Sequence, residues 1–256
     1  MLFLRVIKKL NLITMKYRNC KLTKIVLPIV LVVVAFAFTT HTMEQPEGDP
    51  LFITSIVPYK SGMVVTQKGN KKVTIYSSDY KERLQEWSLD EIPTGVAIDG
   101  ERIIVTVAGE NKNGVYFLST SDPLDKSFIA TASGACAPLL DAQTGNLYVC
   151  NQFAGTVSEI DKNEKKILRT VHVLREPKSI VSDAKGKHLF VANFLPAQRA
   201  DVDTVAACVS VIDKDNFQKI KDIQLANGSN ALRGMTISPD GRYLLITHNL
   251  GRFQVP

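Results

Sequence analysis

From Leu51 onward the chain is a succession of short runs, four to seven residues each, rich in Val, Ile, Thr and Tyr and separated by Gly, Asn, Asp or Pro. Runs of this length and composition predict β-strands, and helical periodicity is nearly absent after residue 43. The runs fall into groups of four. The first group takes Leu51–Val57, Met63–Gln67, Val73–Ser77 and Leu84–Leu89; the second takes Gly95–Ile98, Arg102–Ala108, Gly114–Ser119 and Phe128–Ala132. The third takes Pro138–Asp141, Leu147–Asn151, Thr156–Asp161 and Ile167–Val173; the fourth takes Lys178–Ser182, His188–Asn193, Cys208–Asp213 and Ile220–Leu225. A fifth opens with Gly234–Ser238 and Tyr243–Thr247.

The groups repeat one another. Gly145-Asn146-Leu147-Tyr148-Val149-Cys150-Asn151 is echoed by Gly186-Lys187-His188-Leu189-Phe190-Val191-Ala192-Asn193, and again from Gly241 to Asn249. A repeat of about 40 residues holding several short strands is the pattern of a propeller blade. The expected fold class is therefore all-β, a β-propeller of four-stranded antiparallel blades, with about four and a half blades over residues 43–256. The turns agree: Ser238-Pro239-Asp240-Gly241 is a tight-turn sequence, and Ser182 to Gly186 and Asp141 to Gly145 occupy the equivalent place. Pro93, Pro138 and Pro177 stand at blade starts, where a missing N–H costs little.

The motifs Tyr148-Val149-Cys150-Asn151, Phe190-Val191-Ala192-Asn193, Val157-Ser158-Glu159-Ile160-Asp161, Val209-Ser210-Val211-Ile212-Asp213 and Ile237-Ser238-Pro239-Asp240-Gly241 resemble the YVTN-type β-propeller repeat family. Residues 93–249 carry the resemblance well and 51–92 loosely. It implies that the first strand of each blade is innermost and that alternate turns fall on opposite faces. The tight turns then share one face, and the loops after Asn151 and Asn193 share the other with the blade junctions. It also implies a ring of about seven blades, so the sequence is expected to be part of a longer protein. Modules of this kind are found beside c-type cytochrome or di-haem peroxidase-like domains, which would put haem-binding motifs in a missing C-terminal part.

Charge changes the picture at the N-terminus. The net charge is +6, but residues 1–24 hold seven Lys or Arg and no acid, leaving 24 bases against 25 acids elsewhere. The body therefore gives no support for nucleic-acid binding. The basic stretch precedes fourteen apolar residues, Ile25 to Phe38, a length that suits a signal peptide better than a membrane span. Residues 1–42 are read as a signal peptide or short membrane anchor plus connector. The expected location is exported, periplasmic or at the cell surface, with membrane contact only through this segment.

Chemistry is sparse. Cys136, Cys150 and Cys208 are an odd number for an exported domain, Cys150 reads as a buried structural thiol, and no Cys-x-x-Cys-His or zinc spacing occurs. No cofactor and no metal is therefore assigned to this chain. The loop after Asn193 is ten residues longer than that after Asn151. With the junction Ala226–Arg233 and the segment His248–Pro256, it makes an irregular face, and such loops on a rigid scaffold are where binding usually resides. The binding candidates there are Arg199, Arg233, His248, Asn249 and Arg252, for a protein or a small anionic ligand. His248 aligns with Asn193, which favours a capping role for it. No catalytic residue is assigned. The expected function is a binding and docking scaffold. The alternatives are a propeller hydrolase, lactonase or haem-binding oxidoreductase, and a surface-layer structural protein.

Overall fold

A computed structural model describes residues 51–251. The predicted export segment, its connector and Arg252 lie outside the described residues. Four antiparallel sheets of four strands follow one another along the chain. Blade one holds β1 (Ile53–Tyr59), β2 (Gly62–Gln67), β3 (Lys72–Tyr76) and β4 (Arg83–Ser88); blade two holds β5 (Ile92–Asp99), β6 (Arg102–Ala108), β7 (Asn113–Ser119) and β8 (Lys126–Ala130). Blade three holds β9 (Ala135–Leu140), β10 (Leu147–Asn151), β11 (Thr156–Asp161) and β12 (Lys166–His172); blade four holds β13 (Pro177–Ser182), β14 (His188–Asn193), β15 (Cys208–Asp213) and β16 (Gln218–Gln224). A fifth unit pairs β17 (Ser229–Asn230) with β20 (Asn249–Leu250) and β18 (Met235–Ile237) with β19 (Leu244–Ile246). This is a β-propeller, as the repeats predict.

The first strands are innermost. β1 packs beside β5, β5 beside β9, β9 beside β13, and β13 beside β18. Blades two to four are thus covered on both faces by their neighbours. That explains why the second and third strands are apolar without a break: β7 is buried from Gly114 to Ser119 and β10 throughout. Outer strands touch the core on one side only, and β12 and β16 are largely exposed. The core accordingly divides into four clusters, one per blade junction. Trp87, Val96 and Tyr116 join blades one and two; Ile104, Phe117 and Leu147 join two and three. Tyr148, Leu189 and Phe217 join three and four, and Val209, Leu232 and Leu244 join four and the fifth unit.

The starts of the inner strands differ from expectation. β9 begins at Ala135, three residues before Pro138, because Cys136 pairs with Cys150 ahead of an irregularity at Ala137 (φ 49°). Pro93 likewise lies inside β5. A bulge interrupts the first ladder in each of blades one to four, and a proline beside a bulge loses little.

A second repeated device ties the blades on the tight-turn face. Lys214, in the turn after β15, donates to Asp141 at the end of β9 at 2.8 Å, and both side chains are 95% buried or more. One blade back, Lys162 reaches Asp99 in the same way. At the first junction Tyr59 and Thr120 occupy these positions and bond at 2.9 Å. Burial alone would raise the Asp141 carboxyl, but hydrogen bonds from Lys214 and Thr144 outweigh it and hold the group below its ordinary value.

Removing one partner of a buried pair leaves an uncompensated charge. Asp141→Asn should therefore cost about 3–5 kcal/mol in a urea titration, whereas Lys162→Ala, in a wetter pair, should cost about 1 kcal/mol or less. A folded-state pKa that is depressed contributes stability above the unfolded pKa and loses it as pH falls through the folded one. The gap between wild type and Asp141→Asn should therefore narrow on acidification below about pH 4. A gap that widens there would show that the pair does not work through the Asp141 charge.

Candidate functional site at the channel mouth

The inner strands begin on the long-loop face, and their first residues surround one end of the axis. In four of the five units the residue before this start has a left-handed backbone: Phe52 (φ 44°), Gly134 (φ 81°), Glu176 (φ 56°) and Ala231 (φ 53°). The next position is Ile53, Pro93, Ala135, Pro177 or Leu232. In blades one to four it pairs with the end of the second strand, at Gln67, Val107, Asn151 and Asn193. One residue further on come Thr54, Thr94, Cys136, Lys178 and Arg233, one per blade. All five line a single cavity of about 340 Å³.

In the first three blades this position bonds forward to the next blade. Thr54 Oγ1 donates to Pro93 O at 3.0 Å, Thr94 Oγ1 to Ala135 O at 2.6 Å, and the Cys136 thiol to Pro177 O at 3.6 Å. Blade four breaks the pattern. Lys178 turns back, and its Nζ donates to Gln152 Oε1 at 2.8 Å, while Gln152 Nε2 donates to Glu176 at 2.9 Å. Arg233 lies over the Phe194 ring, 5.2 Å from its centroid. Among the described residues neither Lys178 nor Arg233 is in an ion pair. Ser55 and Ser179 add hydroxyls to the same cavity. Two cations beside the Ser55 and Ser179 hydroxyls can hold an anionic group; among the described residues no carboxylate lines the cavity to hold a cation.

The loop segments do converge. Asn227 receives a bond from Val205 N and donates to Asp203 O. Ser229 and Asn230 pair with Leu250 and Asn249, and Gly251 N donates to Gly228 O. The predicted residues do not all converge with them. Arg199 is held by Asp201 in its own loop at 2.6 Å and is 82% exposed. His248 is exposed, its Nδ1 3.2 Å from Asn249 O, and Asn249 serves the β17–β20 pair. Of the candidates, Arg233 faces the cavity, and Arg252 lies outside the described residues. Asn151 and Asn193 are fully buried and structural: the Asn151 amide donates to Thr156 and Ser158, and the Asn193 amide to Cys208 O and Ser210. Lys178 and the Thr54 and Thr94 hydroxyls escaped sequence reasoning. Their signal was their common offset from each blade start, which the placement of Pro138 as a strand start obscured.

No family model matches the chain, and no curated protein matches it. Solved structures do. The hydrazine synthase of Kuenenia stuttgartiensis matches with a TM-score of 0.70 and 17% identity over 84% of this chain and 60% of that one. The dihydro-heme d1 dehydrogenase NirN in complex with DHE gives 0.61 and 13%, over 80% of this chain and 43% of that one. A 6-phosphogluconolactonase-like protein of Bacteroides fragilis NCTC 9343 gives 0.57 and 15%, over 75% and 61%. The chain thus spans about three fifths or less of these proteins. At such identities the likeness is one of fold, and the fold it shows is the β-propeller.

Proposed function

We propose that this propeller is an exported binding scaffold that takes a small anionic group, or an acidic side chain of a partner, at the channel mouth. The observation that carries it is the break at Lys178 and Arg233. Adjacent blades place a cation at the one position where earlier blades place a residue that staples to its neighbour. The two bases and the hydroxyls of Thr54, Thr94 and Ser179 line one cavity. Arg presents planar donors suited to a carboxylate or phosphate, and Lys adds a point charge. The repeat motifs support membership of the YVTN-type family, and with it a docking role beside a redox partner. The structural likeness to a dihydro-heme d1 dehydrogenase is compatible with that setting. A metal-dependent lactonase or hydrolase draws less support, because Asp99 and Asp141 are engaged by Lys162 and Lys214 on the opposite face.

Titration with inorganic phosphate and with citrate tests the site. Lys178→Ala and Arg233→Ala should each weaken binding about tenfold, the loss of one charge-assisted contact, while Arg199→Ala binds as wild type. Melting temperature should change little for Arg233→Ala, since an exposed charge contributes little to folding, and by no more than one hydrogen bond for Lys178→Ala, which is half-buried and bonded to Gln152. Absence of binding by the wild type, or binding by Lys178→Ala and Arg233→Ala as tight as that of the wild type, would sink the reading. Export is tested separately: a reporter active only outside the cytoplasm, fused after Phe38, should be active, and a silent but well-expressed fusion would refute it.

A further inference from the structure

We infer that Cys136 and Cys150 are a latent cross-strand disulfide pair that closes by exchange with an external disulfide. The inference is independent of the anion site. Both thiols are free and buried in this structure. They are direct partners across the β9–β10 ladder. Directly opposed residues of antiparallel strands have Cα atoms roughly 4.5 or 5.5 Å apart, and both spacings fall within the range a disulfide spans.

The other blades supply an internal template for side-chain direction. The pair of positions occupied by Cys136 and Cys150 is occupied by Thr54 and Thr66 in blade one, and by Thr94 and Thr106 in blade two. There the two Oγ1 atoms touch, at 2.8 Å and 3.0 Å. The backbone thus turns the two side chains toward each other in each of these blades. Blade three keeps that juxtaposition and replaces two hydroxyls with two thiols, which belong to the same core cluster. Blade four does not keep it, since Lys178 and Ala192 stand there. Cys208 sits on β15, bonded toward Ala206 O, outside the pair.

The chemistry is thiol–disulfide exchange with a small or protein disulfide as oxidant. One cysteine loses its proton to solvent and attacks a sulfur of the external disulfide, expelling one thiolate. The second loses its proton and attacks the mixed disulfide, expelling the other. The chain gains one S–S bond and gives up two electrons and two protons, and the oxidant leaves as two thiols. Burial pushes Cys136 up to about 11 and Cys150 well above its usual range, so little thiolate exists in the folded chain. Exchange therefore belongs to the folding chain or to transient opening. Closure would remove the thiol proton now given to Pro177 O, exchanging a contact to blade four for a covalent tie within blade three beside the channel-mouth bulge.

The test is alkylation mapping of the full chain after it is unfolded in guanidinium and refolded in a buffer of oxidised and reduced glutathione. A disulfide-linked Cys136–Cys150 peptide is expected, with Cys208 alkylated. The refolded protein should melt higher than its dithiothreitol-treated form. Cys136→Thr/Cys150→Thr, which writes the pair of blades one and two into blade three, should melt at the same temperature in either buffer. If that variant does not fold, the alkylation map of Cys20→Ser/Cys208→Ser, where only the two opposed cysteines remain, decides alone. Alkylation of both Cys136 and Cys150 in the oxidised, folded protein, or linkage of either to Cys208, would overturn the inference.

Discussion

Blade-on-blade burial is the constraint from which the rest of this structure follows. A four-stranded sheet with two apolar faces cannot stand in water alone, and here each middle sheet is closed on both sides by its neighbours. Burying a Val, Leu or Ile side chain contributes roughly 1.5–3 kcal/mol, and the second and third strands supply such residues without interruption. The order of the blades along the chain is then also their order around the axis. Everything at the two ends of the axis is assembled from residues about 40 positions apart, the length of the repeat.

The two ends divide the labour. On the tight-turn face the first three junctions are each closed by a polar staple, neutral in Tyr59–Thr120, ionic in Asp99–Lys162, and ionic and buried in Asp141–Lys214. Its carboxylates are consumed by structure. On the long-loop face the inner-strand position staples forward in three blades and then stops doing so. Lys178 instead bonds backward to Gln152 of blade three and Arg233 lies over Phe194 of blade four, and that change of residue leaves charge at the channel mouth. Function is proposed where the repeat departs from its own rule.

Much of the fold was legible from residues alone. Strand runs, tight turns and the four-run grouping predicted sixteen strands close to where they stand, because a half-buried or fully buried strand has to be rich in apolar, β-branched residues. The site was legible only in part. Arg233 was chosen as a loop residue on the correct face, but Arg199 was chosen for the same reason and is tied to Asp201 in its own loop. Asn151 and Asn193 look alike in the repeat and are alike in the structure, buried pegs to the third strand. His248 shares their alignment yet is exposed, its ring nitrogen turned to a neighbouring carbonyl.

By itself, then, the sequence determined the class of fold, the four-stranded grouping of the blades, the turn chemistry and which loops are irregular. These depend on local composition and spacing, which survive without knowing what lies across the axis. Tertiary structure alone decided which residues share the channel mouth and which cysteines oppose one another. Thr54, Thr94, Cys136, Lys178 and Arg233 come from four blades and the fifth unit, and a bulge in the first ladder of blades one to four shifts the register by one residue. In a strand such a shift moves every side chain to the other face. Only the paired backbone shows where each side chain ends.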